Sequence, residues 1–356
     1  MKTASFDFSA MRHFWRVFES LQADSEPTQG QWDALFQTPG YLALTASEYR
    51  RERFVDTFRL AFKPSLAAER QMALVEGPSE FLEHCLRIAE KAPVLKEQEL
   101  RLAGVEQDLL DEAVSRSLEY LPLEQVTELD DVAFVIFQNH GARGYSPVVL
   151  DLLCASDCHL QGILPLTLAH EYHHNLRRRH FLEIDSSDVG EEGQELLWIL
   201  HSVQREGIAD LIDLQVYLGE LEMGRLSDGM RSAVEQLAEA IEQAPDFLSQ
   251  LDDTLACMAA GTIDIASAGK LLKPKIPFSG HPVGYYMAKA ILERVGKEEM
   301  VAEVGNPISF LRLYDRASRS GPTTEVRKLY TFSPEAITAL RSLEKLWTGK
   351  AASGRP

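Results

Sequence analysis

The segment Thr167-Leu168-Ala169-His170-Glu171-Tyr172-His173-His174-Asn175-Leu176 holds two histidines four positions apart, with a glutamate directly after the first. On a helix, residues four apart share a face, so His170 and His174 can each turn a ring nitrogen toward one ion. Glu171, one position on, can reach water at that ion without binding the ion itself. Such donors suit zinc, which lowers the pKa of bound water toward about 7; a neighbouring carboxylate then removes the proton as the water attacks a carbonyl. The pattern points to hydrolysis with Glu171 as general base, and it needs an unbroken helix. Pro165 suits a first helical turn, no Pro or Gly lies between Leu166 and Arg179, and Arg177, Arg178 and Arg179 fall where the helix dipole favours cations.

A tetrahedral site needs a third protein ligand. Ile199, Val203, Glu206, Asp210, Asp213 and Tyr217 follow at spacings of three or four, which predicts one stripe of a second helix. That stripe begins apolar, and a carboxylate buried there requires a compensating cation, which zinc would supply; Glu206 is the candidate. A solvated acidic face or a helix–helix ion pair is the alternative. Gly207 costs about 1 kcal/mol relative to Ala inside a helix and implies that two helices approach closely there. Asp210, one turn beyond Glu206, can accept the other ring N–H of a zinc-bound histidine. His180 competes for the third position, but the metzincin spacing needs a glycine where this chain has Arg177. In a continuous helix His180 is rotated roughly 120° from His174.

Hydrolysis also needs a donor for the developing oxyanion. In Gly280-His281-Pro282-Val283-Gly284-Tyr285-Tyr286, Pro282 suits the first position of a helix, which places His281 at its cap. Tyr285 or Tyr286 can offer a phenol proton, or both can simply pack in the core. His140 and Arg143 occupy a loop that can line the same cleft. Val148 to Leu153 reads as a strand, which as a free edge would hold an extended peptide.

The elements that must position these groups are mostly helical. Phe14, Val17, Phe18 and Leu21 recur at helical spacing, the pattern resumes over 49–62 and 80–92, and a longer stretch from Glu97 stops before Pro122. Pro27 and Thr38-Pro39-Gly40 interrupt. Val132 to Phe137 reads as a buried strand, Asn139 to Gly144 as a turn, and 147–153 as a second strand, forming a hairpin or part of a small sheet. Helical periodicity then holds nearly to the end, with breaks near Asp185-Ser186-Ser187-Asp188, Lys273-Pro274-Lys275 and Gly321-Pro322. The expected fold is mainly α with a small central sheet and the HExxH helix beside it, as one domain over 1–350. Within it, 1–125 is an N-terminal helical region, 126–225 the zinc-binding core, 226–350 a C-terminal helical region, and 351–356 a flexible tail.

Composition narrows the class. With 356 residues, 45% of them hydrophobic, the chain can bury a sizeable core. A net charge of -18 repels phosphate backbones and anionic lipids, so neither nucleic acid nor a membrane is expected as a partner. The N-terminal residues lack the apolar core of a secretory signal, and the expectation is a cytoplasmic protein acting on a peptide or protein substrate. Cys85, Cys154, Cys158 and Cys257 are too few for a disulfide scaffold, and Cys154, Cys158 and His159 have no second pair at zinc-finger spacing. They read as reduced, buried thiols.

Thr167 to Leu176 resembles the extended zincin helix, and Glu206-Gly207-Ile208-Ala209-Asp210 is similar to the E-x-x-x-D element of gluzincins such as thermolysin. The resemblance implies a zinc metallopeptidase with Glu206 as third ligand and Asp210 supporting a ligand histidine. The interval from His174 to Glu206 is longer than in thermolysin and carries an acidic insertion. The Phe14-Trp15 region, Thr38-Pro39-Gly40-Tyr41 and Gly284-Tyr285 also resemble uncharacterised families of zinc-dependent peptidases. The reading from a different class is a non-catalytic helical interaction protein, zinc-stabilised or metal-free.

Overall fold

The computed structural model describes residues 4–77, 79–122, 128–139, 141–180, 186–226, 228–320 and 329–354. The chain is mainly α-helical with a small four-stranded sheet, as the sequence predicts. It divides into two compact units: Met1–Arg116 with Val126–Asn175, and Ser117–Gln125 with Leu176–Pro356. No helix among the described residues is long and apolar enough to cross a membrane.

The first unit carries the sheet, formed by β1 (Phe6–Asp7), β2 (Val132–Val135), β3 (Ala142–Arg143) and β4 (Val148–Asp151) in the order β1-β2-β4-β3. β1 and β4 both pair parallel with β2, and β3 pairs antiparallel with β4. Strands β2 and β4 are buried at every position, as parallel strands covered on both faces must be. Two expectations are corrected. Of the two arrangements expected for the strands around Asn139–Gly144, the small sheet is present and the hairpin is not, because β2 and β4 run parallel and the segment between them supplies β3. The strand from Val148 is no free edge, because β3 covers it.

Helices α1 (Ser9–Gln22), α2 (Gln29–Phe36), α3 (Pro39–Ser47), α4 (Arg51–Phe62), α5 (Ala67–Glu76), α6 (Glu80–Gly104), α7 (Glu106–Leu118), α8 (Leu152–Leu160) and α9 (Leu164–His180) interleave with the strands along the chain. Phe14, Val17, Phe18 and Leu21 are buried on α1, against Phe58 and Phe62 of α4. The break expected at Thr38-Pro39-Gly40 falls between α2 and α3, with Pro39 as the first residue of α3. Helix α6 runs through Pro93, and the break falls at Val105. A proline inside a helix costs roughly 3 kcal/mol; here Cys85, Ile88, Leu95 and Leu102 bury the same helix on both sides of it.

Asp151 ends β4 and starts α8. Fully buried, its carboxylate accepts the backbone N–H of Leu153 (2.9 Å) and Cys154 (3.3 Å) as helix cap, that of Phe137 (2.9 Å), and lies 2.8 Å from His84 Nε2. One side chain thus joins two strand ends, α8 and α6. Cys85 and Cys154 are buried beside it, but Cys158 is half-buried and Cys257 exposed, which corrects the expectation of uniformly buried thiols.

The second unit contains α10 (Ser186–Ala209), α11 (Leu214–Glu222), α12 (Asp228–Glu242), α13 (Ala244–Ala259), α14 (Ile265–Leu272), α15 (His281–Arg294), α16 (Lys297–Ala302), α17 (Pro307–Arg319) and α18 (Pro334–Gly354). Helix α10 buries Leu196, Ile199, Leu200 and Val203 and packs on α14 and α15. The predicted stripe does not stay on one helix: α10 ends at Ala209, and Asp213 caps α11 by accepting the Leu214 N–H at 2.7 Å. The helix break expected near Lys273-Pro274-Lys275 is present after Leu272. Of the break expected over Asp185-Ser186-Ser187-Asp188, Asp185 lies outside the described residues and Ser186 begins α10; Gly321-Pro322 lies outside them.

Gly207 of α10 meets Gly284 of α15, and a Cβ added to Gly207 would sit 2.2 Å from the Gly284 carbonyl carbon. The close approach expected of Gly207 is therefore real. It seats the first turn of α15 on the last turn of α10.

Candidate metal centre

Helix α9 is unbroken from Leu164 to His180, so the helical register required by HExxH is met, and its residues up to Asn175 belong to the first unit. Nε2 of His170 and Nε2 of His174 lie 3.0 Å apart. Two nitrogens bound tetrahedrally at about 2.0–2.1 Å from one zinc are roughly 3.3 Å apart, so the pair fits a shared ion with a few tenths of an ångström of adjustment. His170 is 7% exposed, and Glu171 and His174 are half-buried.

Helix α9 is fixed to this unit by contacts the sequence did not announce. Tyr172 donates its hydroxyl to the Asp130 carbonyl at 2.8 Å, and the Asn175 amide donates to the Asp130 carboxylate at 2.8 Å and to the Tyr145 carbonyl. Gly144, directly after β3, lies so close to the helix that a Cβ there would be 2.5 Å from both the Glu171 carbonyl oxygen and His174 Cβ. Only glycine lets the sheet edge approach the general-base candidate this closely. Arg143 is paired: its guanidinium donates to Glu48 at 2.5 and 3.0 Å and stands over Phe137. Burial works against the Arg143 charge, but Glu48 outweighs it and Glu171 adds to the effect, so its pKa is raised. Burial likewise would raise the Glu48 carboxyl, yet hydrogen bonds from Arg143 and Tyr145 hold it below the usual carboxylate value. His140 lies outside the described residues.

In the second unit, Glu206 (8% exposed) and Asp210 (3%) stand at the end of α10. Arg205 Nε donates to Glu206 Oε1 at 2.9 Å. His281 is the first residue of α15 and Pro282 the second, with Gly280 as the cap, so the helix starts one residue earlier than the sequence predicts. Its Nδ1 lies 3.0 and 3.1 Å from the Asp210 carboxylate oxygens and its Nε2 3.5 Å from Glu206 Oε2. The preceding turn is strained: Phe278 and Ser279 take φ of 43° and 52°, followed by Gly280 at 101°. Non-glycine residues in that region cost of order 1–3 kcal/mol each, a cost met where the surroundings fix a working side chain. On the same unit, Arg177 at the end of α9 donates to Gln204 Oε1 (3.0 Å) and to His201 Nδ1 (3.1 Å) on α10. A guanidinium has no acceptor, so His201 carries any single proton on Nε2.

Tyr285 and Tyr286 are 2% and 7% exposed, so both rings belong to the core. Tyr286 hydrogen-bonds Tyr314 and accepts the Tyr330 N–H at 3.4 Å. Burial first, then Asp210, pushes the Tyr285 phenol up to about 12; burial and the hydrogen bond to Asp252 push Tyr330 up to about 12. Burial also raises Tyr41, Tyr172 and Tyr314. Each folded-state value exceeds the ordinary one near 10, so the stability these groups contribute is complete below about pH 10 and is lost as pH rises above it, for Tyr285 and Tyr330 through about 12. Absorbance at 295 nm should therefore show exposed tyrosines ionising near pH 10, with the buried ones following only as the fold opens above it. A single wave near pH 10 with unchanged far-UV circular dichroism would contradict this.

The first unit presents two imidazoles and the second two nearly buried carboxylates, donor types that zinc takes. Residues 32–323, more than four-fifths of the chain, match the family described as "Putative zinc dependent peptidase (DUF5700)". The chain belongs to that family. The DUF5700 match contains every site residue named above, from Glu48 to Tyr286. Histidine and carboxylate side chains among the described residues form candidate metal-binding groups, in keeping with the zinc dependence in the family's description. No curated protein and no solved structure matches the chain.

Proposed function

We propose that this member of DUF5700 is a gluzincin-type zinc peptidase in which His170, His174 and Glu206 hold the ion and Glu171 is the general base. The observation that carries the reading is the 3.0 Å approach of the His170 and His174 Nε2 atoms on one helix face, with Glu171 between them in sequence. Glu206 is the third ligand because it is a nearly buried carboxylate two residues after Gln204, and Gln204 is the residue that ties α10 to the last turn of the histidine helix. When bound, zinc supplies Lewis acidity, making water easier to deprotonate and a carbonyl easier to attack.

The chain's own groups do the rest. Glu171 accepts the proton of the attacking water and delivers it to the leaving amine. His281 donates Nδ1–H to the Asp210 carboxylate and, as the doubly protonated imidazolium, presents Nε2–H as the donor toward the oxyanion, with the strained turn before it fixing the ring. Asp210 is thus the group that orients a histidine, and the histidine bonded to it in its own unit is His281. The substrate is a peptide or protein.

The test is a fluorogenic peptide library presented to zinc-loaded protein with and without chelator. Chelator-sensitive cleavage is expected. Zinc-loaded protein that cleaves no peptide would favour the non-catalytic, zinc-stabilised reading.

A further inference from the structure

A cavity of about 440 Å³ opens among α11, α12 and α15 and has no part in the reaction outlined above. Leu218, Ile241 and the Tyr285 ring give it an apolar wall. Tyr285 is 2% exposed, and its hydroxyl has no hydrogen-bond partner among the described residues. An apolar occupant would bury that hydroxyl unpaired at a cost of about 1–3 kcal/mol, so the wall favours an occupant that carries a polar group.

Charge selects the occupant. Glu222 of α11 and Glu293 of α15 line the cavity, make no ion pair or hydrogen bond among the described residues, and both raise the Tyr285 phenol electrostatically. Of the cations that also line it, Lys289 stands 5.8 Å over the Tyr285 ring and Arg294 donates to the Ala317 carbonyl at 3.4 Å. An anion would meet two uncommitted carboxylates, and a purely apolar group would leave the phenol unpaired. A long aliphatic stem ending in a cation satisfies both. Tyr285 is four residues after His281 on one face of α15, a rise of about 6 Å.

We propose that this cavity is a specificity pocket for a lysine or arginine side chain of the substrate, its stem against Leu218 and Ile241 and its charged head between Glu222, Glu293 and the Tyr285 oxygen. The substrate rests on the peptidase reading; the ligand chemistry of the cavity does not.

Calorimetric titration of the full chain with N-acetyl-arginine amide and with its uncharged isostere N-acetyl-citrulline amide tests the pocket without turnover. The arginine compound should bind about tenfold more tightly or better, and the preference should vanish in the Glu222→Gln, Glu293→Gln double variant. Equal affinities, no binding of either compound, or a preference that survives in the double variant would overturn the proposal. Arginine-selective binding without cleavage of any peptide would sustain the pocket and remove the peptidase reading. Peptide cleavage with no arginine-selective binding would do the reverse.

Discussion

Glu171→Gln should lower kcat/KM on a cleavable peptide by about a hundred- to ten-thousand-fold while the protein keeps its zinc. Gln has the shape of Glu but cannot accept a proton, so the substitution separates proton transfer from metal binding. The carboxylate is half-buried on a helix whose backbone touches Gly144, and the exchange changes no packing volume there. Metal analysis and kinetics on the same preparation check it. Retained activity in a zinc-loaded Gln variant would remove Glu171 from the mechanism.

The second large effect is on stability. Asp151→Ala should cost about 3–5 kcal/mol, because removing one partner from a buried polar cluster leaves the others unsatisfied. The orphaned groups would be His84 Nε2 and the N–H groups of Phe137 and Leu153, all within 2.9 Å of the carboxylate. Asp151→Asn keeps one acceptor and should lose less. Denaturant titration of both variants measures the difference, and a loss below about 1 kcal/mol for the Ala variant would mean that the cluster does not organise the sheet-to-helix junction.

What was legible in the sequence was local. His170, Glu171 and His174 could be placed because four-residue spacing on a Pro- and Gly-free helix determines which side chains share a face, and α9 keeps that register throughout. Gly207 was legible as a close approach because a glycine inside a helix is costly unless something occupies the missing Cβ's space, and Gly284 does. His281 at the head of α15 followed from Pro282.

What was not legible depended on partners distant in the chain. β1 is two residues long and exists because Phe6 and Asp7 pair with Val132 and Ala133. β3 was read as part of a turn because Ala142-Arg143 has no alternation to reveal a strand; its pairing with Val149 and Leu150 defines it. The stretches over 80–92 and from Glu97 read as separate, but packing along α6 joins them into one helix across Pro93. The end of α10 at Ala209 carries no Gly or Pro, so the stripe through Asp213 and Tyr217 seemed continuous when Asp213 in fact caps the next helix. The link between Asp210 and His281 spans 71 positions and could not be read from spacing.

Metal content of protein purified without added zinc tests the central claim most directly, comparing the wild type with His174→Ala and Glu206→Ala. The wild type should carry about one zinc per chain and each variant far less, since each loses one of three protein ligands. Wild-type protein without zinc, or a Glu206→Ala variant that binds it undiminished, would contradict the assignment.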